Sequence, residues 1–586
     1  MTKPTALLLD YRSPNALWGS LLAETLARRG LTQAVISPGS RSTPLTLAFT
    51  RHPRIECVPV LDERSAAFFA LGLARRTRRA VALVCTSGTA GANYHPAVIE
   101  AQAAGVPLLV LTADRPPEMR GCRSGQTIDQ QKLFGGHVNF YHELAVPAAD
   151  ALRLRYLRQA VAHAWDRTQW PVPGPVHLNA PFRDPLAPAG DAADPALARL
   201  VDEQTFFAGP EEDRRAGTRV DAAALAKTLR ARTGDRGIIV AGPAQPEDPA
   251  AYSRAVARVA SRLGWPVLAD ALSPLRHHAG TVRNLVTSYD LIARSEALTR
   301  ELRPDRVLCL DEWPTSKALR QWLERVDPPV TLLTPQLENP DALHLRGTVV
   351  HGSIERLDGD LPRKAAARGW LGRWLGPDRR LRRQASVALA RTDWLFEGAI
   401  SAQLPGALSA GTAVMLANSM PVRDAEYFWP PNSRAHAIYF NRGANGIDGT
   451  LSTALGLAHG GAPVVLLTGD LALLHDVGGF RLARRLRGSV TVVLVNNNGG
   501  GIFEHLPVAR HDPPFEDFFA TPQDADFAGL CAAHAVPHAR VRGWAQLRRL
   551  LAARPRRGLR VLEVRTDRKR DAAFRQELFR RLADGA

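Results

Sequence analysis

The run VTVVLVNNNGGGIFEH (490–505) changes chemistry halfway along. Val490 to Val495 reads as a buried strand. Three amides, Asn496, Asn497 and Asn498, and three glycines, Gly499 to Gly501, then follow where neither a strand nor a simple turn needs them. Twenty-seven positions before Asn497, PVVLLTGDLALLHD (463–476) ends another apolar run in Gly469-Asp470 and opens a helical pattern. A hard dication such as Mg²⁺ takes oxygen ligands in an octahedron, usually one or two protein groups completed by phosphates and water. Asp470 offers a carboxylate and Asn497 an amide oxygen. A glycine after the asparagines lets a backbone carbonyl turn inward with no Cβ in the way. A helix N-terminus beside flexible backbone suits a diphosphate. The plainer alternatives are an N-cap at Asp470 and an Asx-rich turn at 496–498. The turn alone leaves the pairing of the two strand ends without a reason.

Groups at strand ends need strands to carry them. Short apolar runs recur at 34–37, 80–86, 107–114, 237–242, 306–311, 463–470 and 490–497. Helical stretches lie between them, such as ALWGSLLAETLARRG (16–30), with apolar residues three and four apart and a glycine stop. Such alternation predicts an α/β fold of doubly wound parallel sheets covered on both faces, with ligands beyond the carboxyl ends of the strands. The 586 residues exceed one core and suggest about three to four domains. Stretches 183–220 and 360–385 carry Pro, Gly, Ala and charge without a clear period and read as boundaries. The chain then divides into 1–190, 215–360 and 390–586. The outer two segments share a habit of ending strands in Gly-rich, Ser/Thr/Asn-rich turns, although no sequence repeat is evident.

Composition narrows the class. No apolar run is long enough to cross a bilayer, so stable membrane insertion is not expected. The N-terminus lacks the basic start, long apolar stretch and cleavage site of a signal peptide. Five scattered cysteines without a CxxC pair argue against a disulfide framework or zinc site and fit the cytoplasm. The formal charge is +18, mostly from arginine. Clusters at 379–384 and 568–581 are either polyanion-binding faces or solvated helix faces. No nucleic-acid-binding motif accompanies them, so no nucleic-acid partner is expected.

GDL…NNNGGGIF, together with PGSRSTPL (38–45), DERSAAFFALGLA (62–74), TSGTAGAN (86–93), LTADRPPE (111–118) and NRGANGIDGTLSTA (441–454), resembles one family. These blocks are similar to those of the 2-succinyl-5-enolpyruvyl-6-hydroxy-3-cyclohexene-1-carboxylate synthases, thiamine-diphosphate enzymes of menaquinone biosynthesis. The resemblance runs from residue 38 to 507. It implies three α/β domains: pyrimidine-binding (1–190), central (215–360) and diphosphate-binding (390–586). It also implies a homodimer or dimer of dimers with the active site at the subunit interface. The implied cofactors are thiamine diphosphate and Mg²⁺ or Mn²⁺. Asp470 and Asn497 match the metal ligands, Gly499 offers its carbonyl, and Gly469 belongs to the same motif. Ile447 matches the apolar residue that holds the cofactor bent; by itself it reads as core. Glu63 matches the glutamate that hydrogen-bonds the pyrimidine and starts a proton relay. In DER alone, Glu63 reads as a surface helix-start acid beside Arg64.

The resemblance also implies 2-oxoglutarate and isochorismate as substrates. Each carries two carboxylates, which a planar guanidinium suits better than an ammonium. Ser40, Arg41, Arg115, Gln126, Ser419, Arg423 and Arg442 match polar substrate-site positions. Arg41, Arg115, Gln126, Arg423 and Arg442 are counted with Glu63 as the catalytic set. Taken singly, each arginine also reads as a solvated surface charge. Ile502 and Phe503 match the apolar wall beside the cofactor. Lys317 matches the first member of a basic pair from the central domain, but Ala318 stands at the second, with Arg320 a displaced substitute. Rival readings are another thiamine-diphosphate decarboxylase or carboligase, of the acetolactate-synthase or benzoylformate-decarboxylase kind, and a non-catalytic polyanion-binding relative.

Overall fold

The apolar runs form strands where their period places them. In the computed structural model, which describes residues 9–202, 205–207 and 219–585, twenty strands occur. Residues 1–8 of the N-terminal stretch, and 203–204 and 208–218 of the 183–220 boundary, fall outside the described residues.

The first sheet holds β1 (Gln33–Ile36), β2 (Glu56–Pro59), β3 (Val81–Cys85), β4 (Leu108–Asp114), β5 (Phe140–Glu143) and β6 (Pro175–Pro181), in the order β2-β1-β3-β4-β6-β5. All its pairings are parallel. Every residue of β3, β4 and β6 is buried, which is why these strands read as continuous apolar runs. A short pair, β7 (Val220–Asp221) with β14 (Leu357–Asp358), stands apart. The second sheet holds β8 (Gly237–Ala241), β9 (Val267–Ala269), β10 (Leu285–Val286), β11 (Arg306–Leu310), β12 (Pro329–Thr334) and β13 (Arg346–His351), in the order β10-β9-β8-β11-β12-β13. The third holds β15 (Ala413–Leu416), β16 (Ala437–Phe440), β17 (Pro463–Gly469), β18 (Ser489–Asn496), β19 (His538–Val541) and β20 (Gly558–Arg565), in the order β16-β15-β17-β18-β20-β19.

The first and third sheets therefore share one winding, 2-1-3-4-6-5, whereas the middle sheet is wound 3-2-1-4-5-6. In the shared winding the strand order reverses beside the first strand, between it and the third. That opens a crevice at their carboxyl ends. The crevice is flanked by the loops after β1 and β3 in the first sheet, and after β15 and β17 in the third. The loops after β4 and β18 lie one strand further on.

By compactness the chain forms two units. One comprises Met1–Arg214, Asn441–Gly461 and Asp476–Arg487; the other comprises Arg215–Phe440, Ala462–His475 and Gly488–Ala586. Within the first, helices Glu63–Thr77 and Thr450–His459 cross backbone to backbone. A Cβ on Gly72 would come 2.1 Å from the Thr453 carbonyl oxygen, and one on Gly456 would come 2.0 Å from that of Phe69. Within the second, the 360–385 stretch holds a 21-residue helix, Trp370–Ala390, instead of an aperiodic link. Its buried residues are Trp370, Trp374, Asp378, Leu381 and Ala385, a one-face spacing of three and four that the surrounding arginines obscure. Pro377 and the charge run hide this helix from a composition-based reading.

Candidate active site

The two strand ends that open the metal question lie in the second unit, side by side in the third sheet, because β17 pairs with β18 in register from Pro463–Ser489 to Gly469–Val495. Asp470 follows β17 as the first residue of helix Asp470–Leu474, with Gly469 at the cap position. Its Oδ1 accepts from the Leu471 N–H at 2.7 Å. Its Oδ2 accepts from the Gly499 N–H at 2.9 Å, so the carboxylate ties the two loops together rather than simply capping a helix. Burial pushes its carboxyl up to about 6, against backbone N–H groups that hold it down.

The three amides separate by role. Asn496 donates to Glu563 Oε1 at 2.7 Å and so fastens β18 to β20. Asn498, at φ +56°, accepts from the N–H groups of Gln523 and Asp524 and shapes the following loop. Asn497 is buried. Its Nδ2 donates to Glu397 Oε2 at 2.9 Å, and its Oδ1 has no hydrogen-bond partner among the described residues. Such an orphan oxygen is costly in a folded protein unless something binds it. Gly499 has φ +137°, and a Cβ there would lie 2.3 Å from the Ala520 carbonyl oxygen, so only glycine fits. A buried carboxyl, an unpartnered amide oxygen and bare backbone make a donor set that could hold a hard dication and, through it, a diphosphate. Ile502 and Phe503, half-buried, stand on the turn Gly501–His505 directly after it.

The second unit also carries the cations of the predicted site. Ser419 sits at φ +68° after β15, before helix Met420–Phe428, and its carbonyl accepts from Arg423 Nη1 at 2.7 Å. Burial, and then the nearby charge of Arg320, lower the Arg423 guanidinium's pKa. Lys317 is exposed at the start of helix Lys317–Val326, while Ala318 packs on the hydrophobic core. Arg320, with a buried and unpartnered Nε, is the cation of that helix that Arg423 feels. His505 is pushed down to about 4 by burial and then by the charges of Arg575, Arg294 and Arg423. It is therefore neutral at pH 7 and accepts from Arg575 Nη1 at 2.9 Å.

The first unit assembles a second constellation at the carboxyl ends of β1, β3 and β4. Ser40 is exposed after β1. Arg41, buried, donates to the Phe182 carbonyl at 2.9 Å and to Asp184 at 3.2 Å. Arg115, after β4, donates to the Gln126 carbonyl at 2.7 Å, and Gln126 Nε2 donates to the Ser87 carbonyl at 2.9 Å. Arg41 and Arg115 each keep a buried Nε without a hydrogen-bond partner among the described residues. Burial, and then Arg41's charge, lower the Arg115 guanidinium's pKa. Asp184 partly neutralises the pair, and the donors left over could hold a further anion. Gln130, which the sequence reading passes over, braces this loop by accepting from the Gly88 N–H at 2.7 Å.

Glu63 is the first residue of helix Glu63–Thr77, after β2. Asp62 caps the helix by accepting from the Arg64 and Ser65 N–H groups at 2.9 and 3.4 Å, whereas Glu63 meets its own backbone N–H. Half-buried, Glu63 has its carboxyl raised above the ordinary range by burial, with Asp62's charge adding to it. Arg442 begins the loop that Glu100 holds through the Gly443 and Ala444 N–H groups at 3.1 and 2.7 Å. Ile447, half-buried, lies five residues on, and its carbonyl accepts from Thr450 Oγ1 at 2.9 Å.

The sequence reading also passes over Glu397 and Arg575. Arg575 lies in a run read as a solvated or polyanion-binding face. Helix Arg568–Asp584 instead buries Arg568, Asp571, Ala572, Arg575, Leu578, Phe579 and Leu582 on one side, and only its other side is solvated. The spacing of those positions is the signal that could have found it.

Comparison with known proteins bears on the fold and the family. Family models described as the N-terminal, middle and C-terminal domains of thiamine pyrophosphate enzymes match residues 18–133, 214–414 and 420–564. A protein of Synechococcus sp. (strain JA-3-3Ab), named 2-succinyl-5-enolpyruvyl-6-hydroxy-3-cyclohexene-1-carboxylate synthase, is 52% identical over 98% of each chain. One of the same name from Rippkaea orientalis is 48% identical over 98% of each. The crystal structure of benzoylformate decarboxylase from Polynucleobacter necessarius superposes with a TM-score of 0.65, covering 94% of this chain and 98% of that one, at 17% identity. That last likeness shows the fold alone. The three sheets are thus the three domains of a thiamine pyrophosphate enzyme, and the chain belongs to the 2-succinyl-5-enolpyruvyl-6-hydroxy-3-cyclohexene-1-carboxylate synthase family.

Proposed function

We propose that the chain joins 2-oxoglutarate to isochorismate with loss of CO2, forming 2-succinyl-5-enolpyruvyl-6-hydroxy-3-cyclohexene-1-carboxylate for menaquinone biosynthesis. The observation that carries this reading is the likeness to relatives of that name over 98% of the chain, both constellations included. In the net reaction the C1–C2 bond of 2-oxoglutarate breaks and C1 departs as CO2. The electron pair left at C2 makes the new carbon–carbon bond in a 1,4-addition to the isochorismate ring.

Thiamine diphosphate, when bound, supplies the electron sink for the pair left at C2. Asp470, Asn497 and the Gly499 carbonyl would hold Mg²⁺ or Mn²⁺ and through it the diphosphate. Gly469 would shape that turn, Ile447 would support the bent cofactor, and Ile502 and Phe503 would wall the reacting carbon from water. Glu63, its carboxyl raised by burial, would hydrogen-bond a ring nitrogen of the bound cofactor and exchange a proton with it. Arg41, Arg115, Arg423 and Arg442, with Ser40, Ser419 and the Gln126 amide, would hold the substrates' carboxylates and hydroxyls. Arg320 takes the place that Ala318 leaves vacant, and Lys317 is retained as an outer contact. Domains at 1–190, 215–360 and 390–586 form the working division. The assembly is a homodimer or dimer of dimers, with the pyrimidine-side acid from one chain and the metal anchor from its partner. No described helix is long and apolar enough to cross a membrane, and we place the enzyme in the cytoplasm.

The test is a two-substrate assay with thiamine diphosphate and Mg²⁺. CO2 release from 2-oxoglutarate should depend on isochorismate. Rapid turnover of pyruvate alone would instead make the chain an acetolactate-synthase-like or decarboxylase-like enzyme.

A further inference from the structure

Asn497 offers two chemically different ends, and only one can face a cation. Its amide nitrogen meets Glu397 Oε2 at 2.9 Å. Glu397 is held on three sides. Its Oε1 accepts from Arg575 Nη2 at 2.9 Å, its backbone N–H donates to Asp571 Oδ2 at 3.0 Å, and both carboxylate and guanidinium are buried. Arg575 also donates to Asp424 Oδ1 at 2.7 and 3.1 Å and lies over the Phe396 ring at 5.1 Å. A guanidinium has only donors, and a carboxylate paired with one has only acceptors. The polarity of the chain Arg575–Glu397–Asn497 is therefore fixed from its buried end. The amide must present its N–H to Glu397, which leaves Oδ1, buried and without a partner among the described residues, at the other end.

We infer that Glu397, backed by Arg575, is a positioning residue that sets the orientation of the Asn497 amide so that its oxygen, and not its nitrogen, is offered to the divalent cation. The inference rests on the metal-anchor reading above. Partners of ligands commonly act in this way, and their loss weakens metal binding.

The test is Mn²⁺ affinity by electron paramagnetic resonance, in the presence of thiamine diphosphate and without substrates. Glu397→Gln is nearly isosteric. Its amide oxygen must face Arg575, so its NH2 faces Asn497 and turns the Asn497 amide over, presenting nitrogen to the cation. Mn²⁺ affinity should fall by about 10- to 100-fold. Asn497→Asp in the wild-type background sets two carboxylates against each other and should also bind Mn²⁺ more weakly. The double variant E397Q/N497D should recover affinity, because a carboxylate offers oxygen at both ends while accepting from the glutamine NH2. Two harmful changes that cancel are the mark of an orientation role, since loss of packing alone would accumulate. Glu397→Asp, which keeps the charge for Arg575 but withdraws from Asn497, should lower affinity too and serves should Glu397→Gln fold poorly. Wild-type affinity in Glu397→Gln or Glu397→Asp, or no recovery in the double variant, overturns the inference. If Asn497→Ala itself binds Mn²⁺ as the wild type does, the metal-anchor reading fails first and the orientation role goes with it.

Discussion

At the scale of single residues, Glu63 shows how environment selects between two ordinary fates of a carboxyl. Asp62, one residue earlier, takes the capping hydrogen bonds at the start of the helix and keeps the ordinary role. Glu63 is left half-buried with its carboxyl raised above the ordinary range by burial, the direction that the proposed proton relay asks of it. Glu63→Gln preserves size and removes the titratable proton. It should leave thiamine diphosphate binding within a few-fold while slowing hydrogen–deuterium exchange at the cofactor's thiazolium carbon by at least about 10²-fold. Proton NMR of quenched samples measures this, and a wild-type exchange rate would remove Glu63 from the relay.

At the scale of elements, the placement of Glu63 depends on how its helix is seated. Helices Glu63–Thr77 and Thr450–His459 meet at Gly72 and Gly456, where each backbone touches the other. Close approach of this kind forbids even a methyl group. Gly72→Ala would set a Cβ 2.1 Å from the Thr453 oxygen and 2.9 Å from the Leu457 nitrogen, both backbone atoms that cannot rotate away. We expect a loss of about 1–3 kcal/mol in unfolding free energy by chemical denaturation, as for other overpacked interiors. Gly460→Ala, with open space around its Cβ, is the control and should change little. Equal effects from the two would show that the crossing is not held by backbone contact.

Across the whole molecule, several carboxyls are buried with their pKa values raised. Burial pushes Asp311 up to about 7 and Asp470, Asp476 and Asp571 to about 6. A carboxyl whose folded pKa exceeds its unfolded one stabilises the fold fully below pH about 4, and that contribution is lost as pH rises through the folded value. These four groups taken alone therefore take stability away between pH 4 and 7, while histidines buried in the neutral form, such as His505 at about 4, act in the opposite sense. Asp311 isolates the effect. It lies after β11 at φ +62°, a conformation asparagine tolerates, and its Oδ2 accepts from the Tyr252 hydroxyl at 2.8 Å, a bond an amide oxygen can keep. Relative to wild type, Asp311→Asn should gain up to about 1.4 kcal/mol per pH unit between roughly pH 4 and 7. Urea unfolding at several pH values reads this directly, and a difference that does not change with pH would refute it.

The sequence by itself determined what depends on neighbours along the chain. Buried parallel strands must be apolar throughout, so β3, β4, β17 and β18 announce themselves. The interval from Asp470 to Asn497 is set by one strand-helix-strand passage, so the family, and with it the proposed metal anchor, was legible from spacing and motif. Only the tertiary structure decided what depends on partners far apart in the chain. The shared 2-1-3-4-6-5 winding of the first and third sheets left no sequence repeat, because winding is fixed by which strands pair and not by side-chain identity. The helix Trp370–Ala390 and the buried face of Arg568–Asp584 were hidden because arginines crowd the same turns as the apolar positions. Asn496, Asn497 and Asn498 are one residue type in three consecutive places. They part company only when Glu563, Glu397 and the 523–524 loop are brought to them. Glu397 lies 100 residues from Asn497 and 178 from Arg575. A buried charge is tolerable only with its partner beside it, and packing, not sequence distance, supplies that partner.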